Sequence, residues 1–322
     1  DTDTDTDVDV YEFDSAFTDG SSVKNTGQIM RQLLVSDLAE ELGNIDDMVQ
    51  AIEITEAGEV VGMLEFYFEF DGDTAGGVEF LTEFDSDTLQ TTYGEISTSN
   101  LVAKVAGNDS ATDHKDWGTE FEGWGAKGST TPEDLVRTWF QMVDDQAVDW
   151  AAGNIPLDPW GNPVPAVYVT PQGHDLDQLI EKFLNVAINF SQGSDDYMDD
   201  DTDGKGLLAA HTEGDDAYTA LEHAWDEGYG YFGGARNYVA WSDDDIADIG
   251  HIDVDGDGYI DLLTEVNWGH SVNAAKRDRG APVETDFTQQ AWDGFIGGRQ
   301  LLHETAGTAL TDAQMEELKG FR

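Results

Sequence analysis

Thr131-Pro-Glu-Asp-Leu-Val-Arg-Thr-Trp-Phe-Gln-Met-Val143 is the stretch on which the fold class turns. The threonine offers a side-chain oxygen to the orphan N–H groups of a helix start, and proline fits the first helical position without losing a bond. Glu133 and Asp134 then stand at the positive end of the helix dipole. Leu135, Trp139, Met142 and Val143 fall on one face at helical spacing, with Gly153 as the stop.

The same period recurs on both sides of this segment. From Thr26, a stripe of Ile29, Leu33, Leu34, Leu38 and Leu42 predicts a helix that stops at Gly43. Met48 to Phe70 reads as one or two helices through Val60, Met63, Leu64, Tyr67 and Phe68, and the Phe66-Tyr67-Phe68 run leaves a strand open there. A helix over 175–191 is expected to bury Leu179, Phe183, Leu184, Ala187 and Phe190. Others are predicted over 216–232, through Ala274 and Ala275, over 285–308, and from Asp312. Residues 71–130, rich in Gly, Ser, Thr and Asp, read as an irregular excursion, and four prolines exclude regular helix from 154–170. The expected fold is mainly α, a helical bundle with long acidic loops and an EF-hand-like calcium loop. A single helical domain over 13–322 is expected behind an acidic tether over 1–12.

Acid dominates the composition, with 68 Asp and Glu against 15 Lys and Arg and a net charge of -53. Such a charge opposes compaction in dilute buffer. At molar salt the Debye length shrinks to about 3 Å and most of the repulsion is lost. Apolar residues at 39% and aromatics at 11% speak against a disordered acidic chain, so the composition points to a folded protein adapted to brine. The same charge argues against nucleic acid or an anionic membrane surface as partner. Cysteine is absent, which removes disulfides, thiolate metal sites and cysteine nucleophiles. The start at Asp1 suggests a removed secretory or lipoprotein signal, hence an extracellular or surface-anchored protein. The Asp-Thr repeat from Asp1 to Asp7 reads as a tether, with self-association through a donated strand, or an ion-binding ladder, as the alternatives.

Among possible sites, Asp253-Val-Asp-Gly-Asp-Gly-Tyr-Ile-Asp261 stands out. Asp253, Asp255, Asp257 and Asp261 fall at loop positions 1, 3, 5 and 9 of an EF-hand-type loop, with Gly258 at position 6 and the Tyr259 carbonyl at position 7. A hard cation needs several oxygens, and glycine permits the sharp turn. Position 12 is Thr264 rather than a carboxylate, so Glu265, one residue later, is the candidate to complete the shell. Asp199, Asp201 and Asp203 with Gly204 make a weaker echo, with Leu207 where a ninth-position ligand belongs. His223, Asp226 and Glu227 share a helical face and form a candidate transition-metal site. No Gly-x-Ser-x-Gly turn and no phosphate-binding or dinucleotide fingerprint occurs. Arg299 lies in an apolar helix and, if buried, needs a carboxylate partner.

Several segments together resemble the domain of unknown function numbered 4856, a family of secreted or lipoprotein-type proteins. They are Thr26–Gln32, Gly173–Lys182, Glu222–Gly233, Ser271–Asp278 and Phe295–Arg299, with Asp226-Glu-Gly-Tyr-Gly-Tyr-Phe-Gly233 as the most specific core. The resemblance implies a helical cell-envelope protein, distantly akin to imelysin-like proteins linked to iron uptake, and it implies no activity. Imelysin-like proteins carry Gly-x-His-x-x-Glu. Here Leu221 and Asp226 replace the glycine and the glutamate around His223, which counts against transferring an iron or peptidase role. The expectation is an extracellular or cell-surface, non-enzymatic calcium-binding protein of a halophile, with calcium as a structural cofactor. The alternatives are an imelysin-like metal-uptake component or metallohydrolase, and a subunit of an extracellular filament.

Overall fold

The computed structural model describes residues 9–108, 116–212 and 216–322, and these are mainly helical. Eleven α-helices occur among them: α1 (Thr26–Gln50), α2 (Glu59–Phe68), α3 (Gly72–Ala75), α4 (Trp117–Glu120), α5 (Pro132–Ala151), α6 (Leu176–Leu184), α7 (Ala220–Phe232), α8 (Asp243–Asp248), α9 (Gly269–Gly280), α10 (Phe287–Thr305) and α11 (Asp312–Gly320). Among the described residues the one sheet is a parallel pair of two-residue strands, β1 (Asp87–Thr88) and β2 (Tyr259–Ile260).

Helix α5 starts as its sequence dictates. The Thr131 hydroxyl accepts the Asp134 N–H at 3.1 Å, and the Asp134 carboxylate accepts the Thr131 N–H at 3.1 Å. Elsewhere tertiary packing overrides the local signal. Helix α1 passes straight through Gly43, because a helical glycine costs only about 1 kcal/mol and buried Leu42, Ile45 and Val49 flank it. Phe66, Tyr67 and Phe68 are helical, not strand. Helix α6 continues into a π-helical stretch, Asn185–Tyr197. Its wider winding rotates the buried face, so Ile188 is buried and Phe190, expected inside, is 57% exposed.

The described residues form two compact units where the sequence suggests one domain. One unit comprises residues 30–83 and 91–191. In it α2 packs on α5 and α5 on α6, with Phe68 edge-on to Phe140 at 5.7 Å and Trp139 edge-on to Phe183 at 5.3 Å. Its buried acids hold backbone. Asp144 on α5 accepts N–H groups from Gly58 at 2.9 Å and Val60 at 3.0 Å, and so caps α2, whose own cap residue, Gly58, has no side chain to offer. Asp37 on α1 accepts the Leu81 and Thr82 N–H groups at 3.0 and 2.8 Å and the hydroxyls of Thr82 and Tyr93. Burial pushes the Asp37 carboxyl up, against the lowering effect of these donors.

The other unit comprises residues 9–29, 84–90 and 192–322. Helix α10 packs against α7, α9 and α11, around Trp225, Tyr229, Tyr238, Trp292, Ile296 and Leu302. A Cβ on Gly298 would lie 2.0 Å from the Trp225 ring, so only glycine lets α10 approach α7 this closely. Residues 1–8 of the expected tether, with its self-association role, lie outside the described residues. The tether does not extend to residue 12: Tyr11 is fully buried and stacks on Tyr229 at 4.0 Å, and Phe13 belongs to the same core.

Candidate metal centre

The Asp253–Glu265 loop is closed at its neck by backbone pairing. His251 and Val266 form an antiparallel bridge, and the Ile252 N–H donates to the Glu265 carbonyl at 3.3 Å. That register sets Glu265 beside the start of the loop, although it stands one residue past position 12, which Thr264 occupies. Support comes also from residues 84–90. β1 pairs with β2 (Asp87 with Tyr259, Thr88 with Ile260), burying Ile260. The Gln90 side chain donates to Asp261 Oδ1 at 2.8 Å and accepts the Leu262 N–H at 2.9 Å.

Within the loop the chain winds around its first carboxylate. Asp253 accepts the N–H groups of Gly256 at 2.7 Å and Gly258 at 2.9 Å, and both glycines have the positive φ that the winding requires. Glu265 accepts the Val254 N–H at 2.7 Å on one oxygen and the Asp261 N–H at 2.8 Å on the other. One ligand oxygen from each of Asp253, Asp255 and Glu265 lies within 4.8 Å of the others. Oxygens sharing one calcium ion lie at most about twice its 2.3–2.6 Å bond length apart, so this spacing fits. The donors are all hard oxygens, which suits calcium and not zinc or copper. Of the other expected ligands, Asp257 turns back to accept the Tyr259 N–H at 2.8 Å. The Asp261 carboxylate serves Gln90, the Leu263 N–H and the Thr264 hydroxyl.

Among the described residues this is the one group of three or more histidine and acidic side chains so gathered. Asp199, Asp201 and Asp203 do not converge. Leu207, at their would-be ninth position, is drawn into the core, and its N–H binds the Asp199 carbonyl at 2.8 Å. His223, Asp226 and Glu227 share a face of α7 but not a site. His223 stacks on Tyr218 at 4.5 Å with its Nε2 3.9 Å from Glu227, while the second Glu227 oxygen accepts from Gln28 at 2.7 Å.

Asp226 instead points into the core, to Arg299. The guanidinium donates to Asp226 at 2.8 Å, Glu222 at 2.9 Å and Ser22 Oγ at 2.6 Å, and lies 4.8 Å over the Phe13 ring. Tyr11 donates to the same Asp226 oxygen at 2.9 Å, and the second oxygen is buried with no hydrogen-bond partner. Burial pushes the Asp226 carboxyl up despite Arg299 beside it. Burial also disfavours the charge on Arg299, yet Asp226, Tyr11 and Glu222 hold its pKa above the ordinary value. Glu222 also closes the capping box of α7, accepting the Thr219 N–H at 2.8 Å. The apolar context of Arg299 in the sequence implies that, once buried, it needs a carboxylate, but no spacing says which one. The available signal is a lone arginine among apolar helical residues, together with a family-like segment that carries two acids at i and i+4.

Residues 10–244 match the sequence profile described as Domain of unknown function (DUF4856), and the chain belongs to that family. The matched span includes Glu222 and Asp226 and ends before the Asp253–Glu265 loop and Arg299. No curated protein and no solved structure matches the chain.

Proposed function

We propose that this protein is an extracellular or cell-surface calcium-binding protein adapted to high salt, in which the ion has a structural and not a catalytic role. The observation that carries the reading is the convergence of Asp253, Asp255 and Glu265 on one small volume. Three carboxylates so close repel one another, and among the described residues their hydrogen-bond partners are backbone N–H groups rather than lysine or arginine. A divalent cation removes that repulsion and pins a loop that begins and ends on the same backbone bridge. Further oxygens to reach the roughly six to eight that calcium takes come from water, Asp257 and the Tyr259 carbonyl. Asp261 then acts on the loop through Gln90.

Titration calorimetry on metal-stripped protein in molar salt tests this. One calcium site is expected, lost in Glu265→Gln. No heat of binding, together with a melting temperature unmoved by chelator, would overturn it. No observation favours the transition-metal alternative, since Asp226 is committed to Arg299.

A further inference from the structure

Residues 150–174 contain a single charged residue, Asp158, in a chain of which 26% is charged. In the middle of this stretch, Leu157 and Pro163 form an antiparallel bridge that closes a tight hairpin. Past Leu157, whose N–H has no partner in the hairpin, its backbone donors are used. From Asp158 to Pro165 every N–H is either absent at a proline or bonded within the hairpin: Asp158 to the Asn162 carbonyl, Trp160 and Asn162 to the Asp158 carboxylate, Gly161 to the Asp158 carbonyl, and Val164 to the Pro156 carbonyl. Buried Val164 anchors the base, while Ile155, Leu157 and Trp160 are 42%, 55% and 84% exposed.

We propose that this hairpin docks on a lipid bilayer of zwitterionic headgroups, with Trp160 seated in the membrane interface. An indole has an apolar body and one polar N–H, which suits the boundary between headgroups and acyl chains. A hairpin tip that bonds its own N–H groups, as from Asp158 to Pro165, enters the interface with no orphaned donors of its own, which removes a main cost of moving backbone into an apolar medium. A carbohydrate would ask for free side-chain donors beside the ring, whereas the Asn162 amide is held by Asp158 at 3.0 Å. Asn162, followed by the backbone donors around it, keeps the Asp158 carboxyl below its usual pKa. The charge therefore persists and limits docking to the interface. A net charge of -53 repels anionic headgroups, so neutral ones are the compatible surface.

Flotation of the full chain with phosphatidylcholine vesicles in molar salt tests the proposal. The wild type is expected to float with the vesicles, and Trp160→Ala to lower the partition coefficient at least about tenfold, with a smaller loss for Leu157→Ser. Because Trp160 is exposed, the variant should melt as the wild type does. At low salt, adding phosphatidylglycerol should reduce binding. Failure of the wild type to float, or equal flotation of Trp160→Ala, overturns the proposal. So does Trp160-dependent self-association in the ultracentrifuge without vesicle binding, which would make the hairpin a contact between copies. None of these readouts involves calcium, so the outcome is independent of the metal reading.

Discussion

Two acidic clusters in the same unit meet opposite fates. At Arg299, two buried carboxylates and a tyrosine hydroxyl gather around a guanidinium that is fully buried. At Asp253–Glu265, three carboxylates gather with backbone N–H groups and no paired lysine or arginine among the described residues. A buried carboxylate away from water needs a fixed cation or enough donors. An exposed loop can recruit its cation from solution. Arg299 supplies the fixed cation where solvent ions cannot reach.

The largest expected effect comes from breaking the first cluster. Arg299→Met leaves Asp226 and Glu222 uncompensated and should cost about 3–5 kcal/mol in denaturant titrations at molar salt. A loss below about 1 kcal/mol would show that the pair does not hold this core together.

The second cluster should respond to the ion itself. Calcium at a hundred times its dissociation constant should add about 2.7 kcal/mol, reversed by chelator and absent in Glu265→Gln. A response retained in Glu265→Gln would remove that residue from the site.

A pH series separates the clusters further. The Asp226 carboxyl has a folded pKa above its unfolded value of about 4. The folded state therefore binds the extra proton, and this group's contribution is largest at low pH. It is lost as pH rises from the unfolded value through the folded one. Asp226→Asn cannot titrate there, so its stability relative to wild type should climb as pH rises from about 4. A constant difference up to neutral pH would contradict the raised value.

The smallest effect is a contrast in salt. Raising salt from molar to saturating levels should leave the Arg299→Met penalty within about 0.5 kcal/mol, because buried pairs are little screened. Calcium affinity at the exposed loop should weaken over the same range.

Legibility followed the range of the interactions. The cap at Thr131 and the glycines of the Asp253 loop were readable because their partners lie within a few residues. Glu265 needed the His251–Val266 bridge to become a neighbour of Asp253. Gly43 and Phe190 misled for a related reason. A helix breaker is overridden by the packing of a long helix, and a change from α to π winding moves a side chain from one face to the other. Asp226 was readable as a chemical group but not as the partner of Arg299, which stands 73 residues away.

The amino-acid sequence by itself determined the helical stripes, the acid coat, the charge-poor stretch around Trp160 and one loop with cation-ligand spacing. These are properties of neighbouring residues and of period. Tertiary structure alone decided which carboxylates meet distant partners: Asp226 and Glu222 at Arg299, and Asp144 at the start of α2. Each of those meetings closes a long stretch of chain. Their selection rests on how whole helices and bridges pack, which no local spacing encodes.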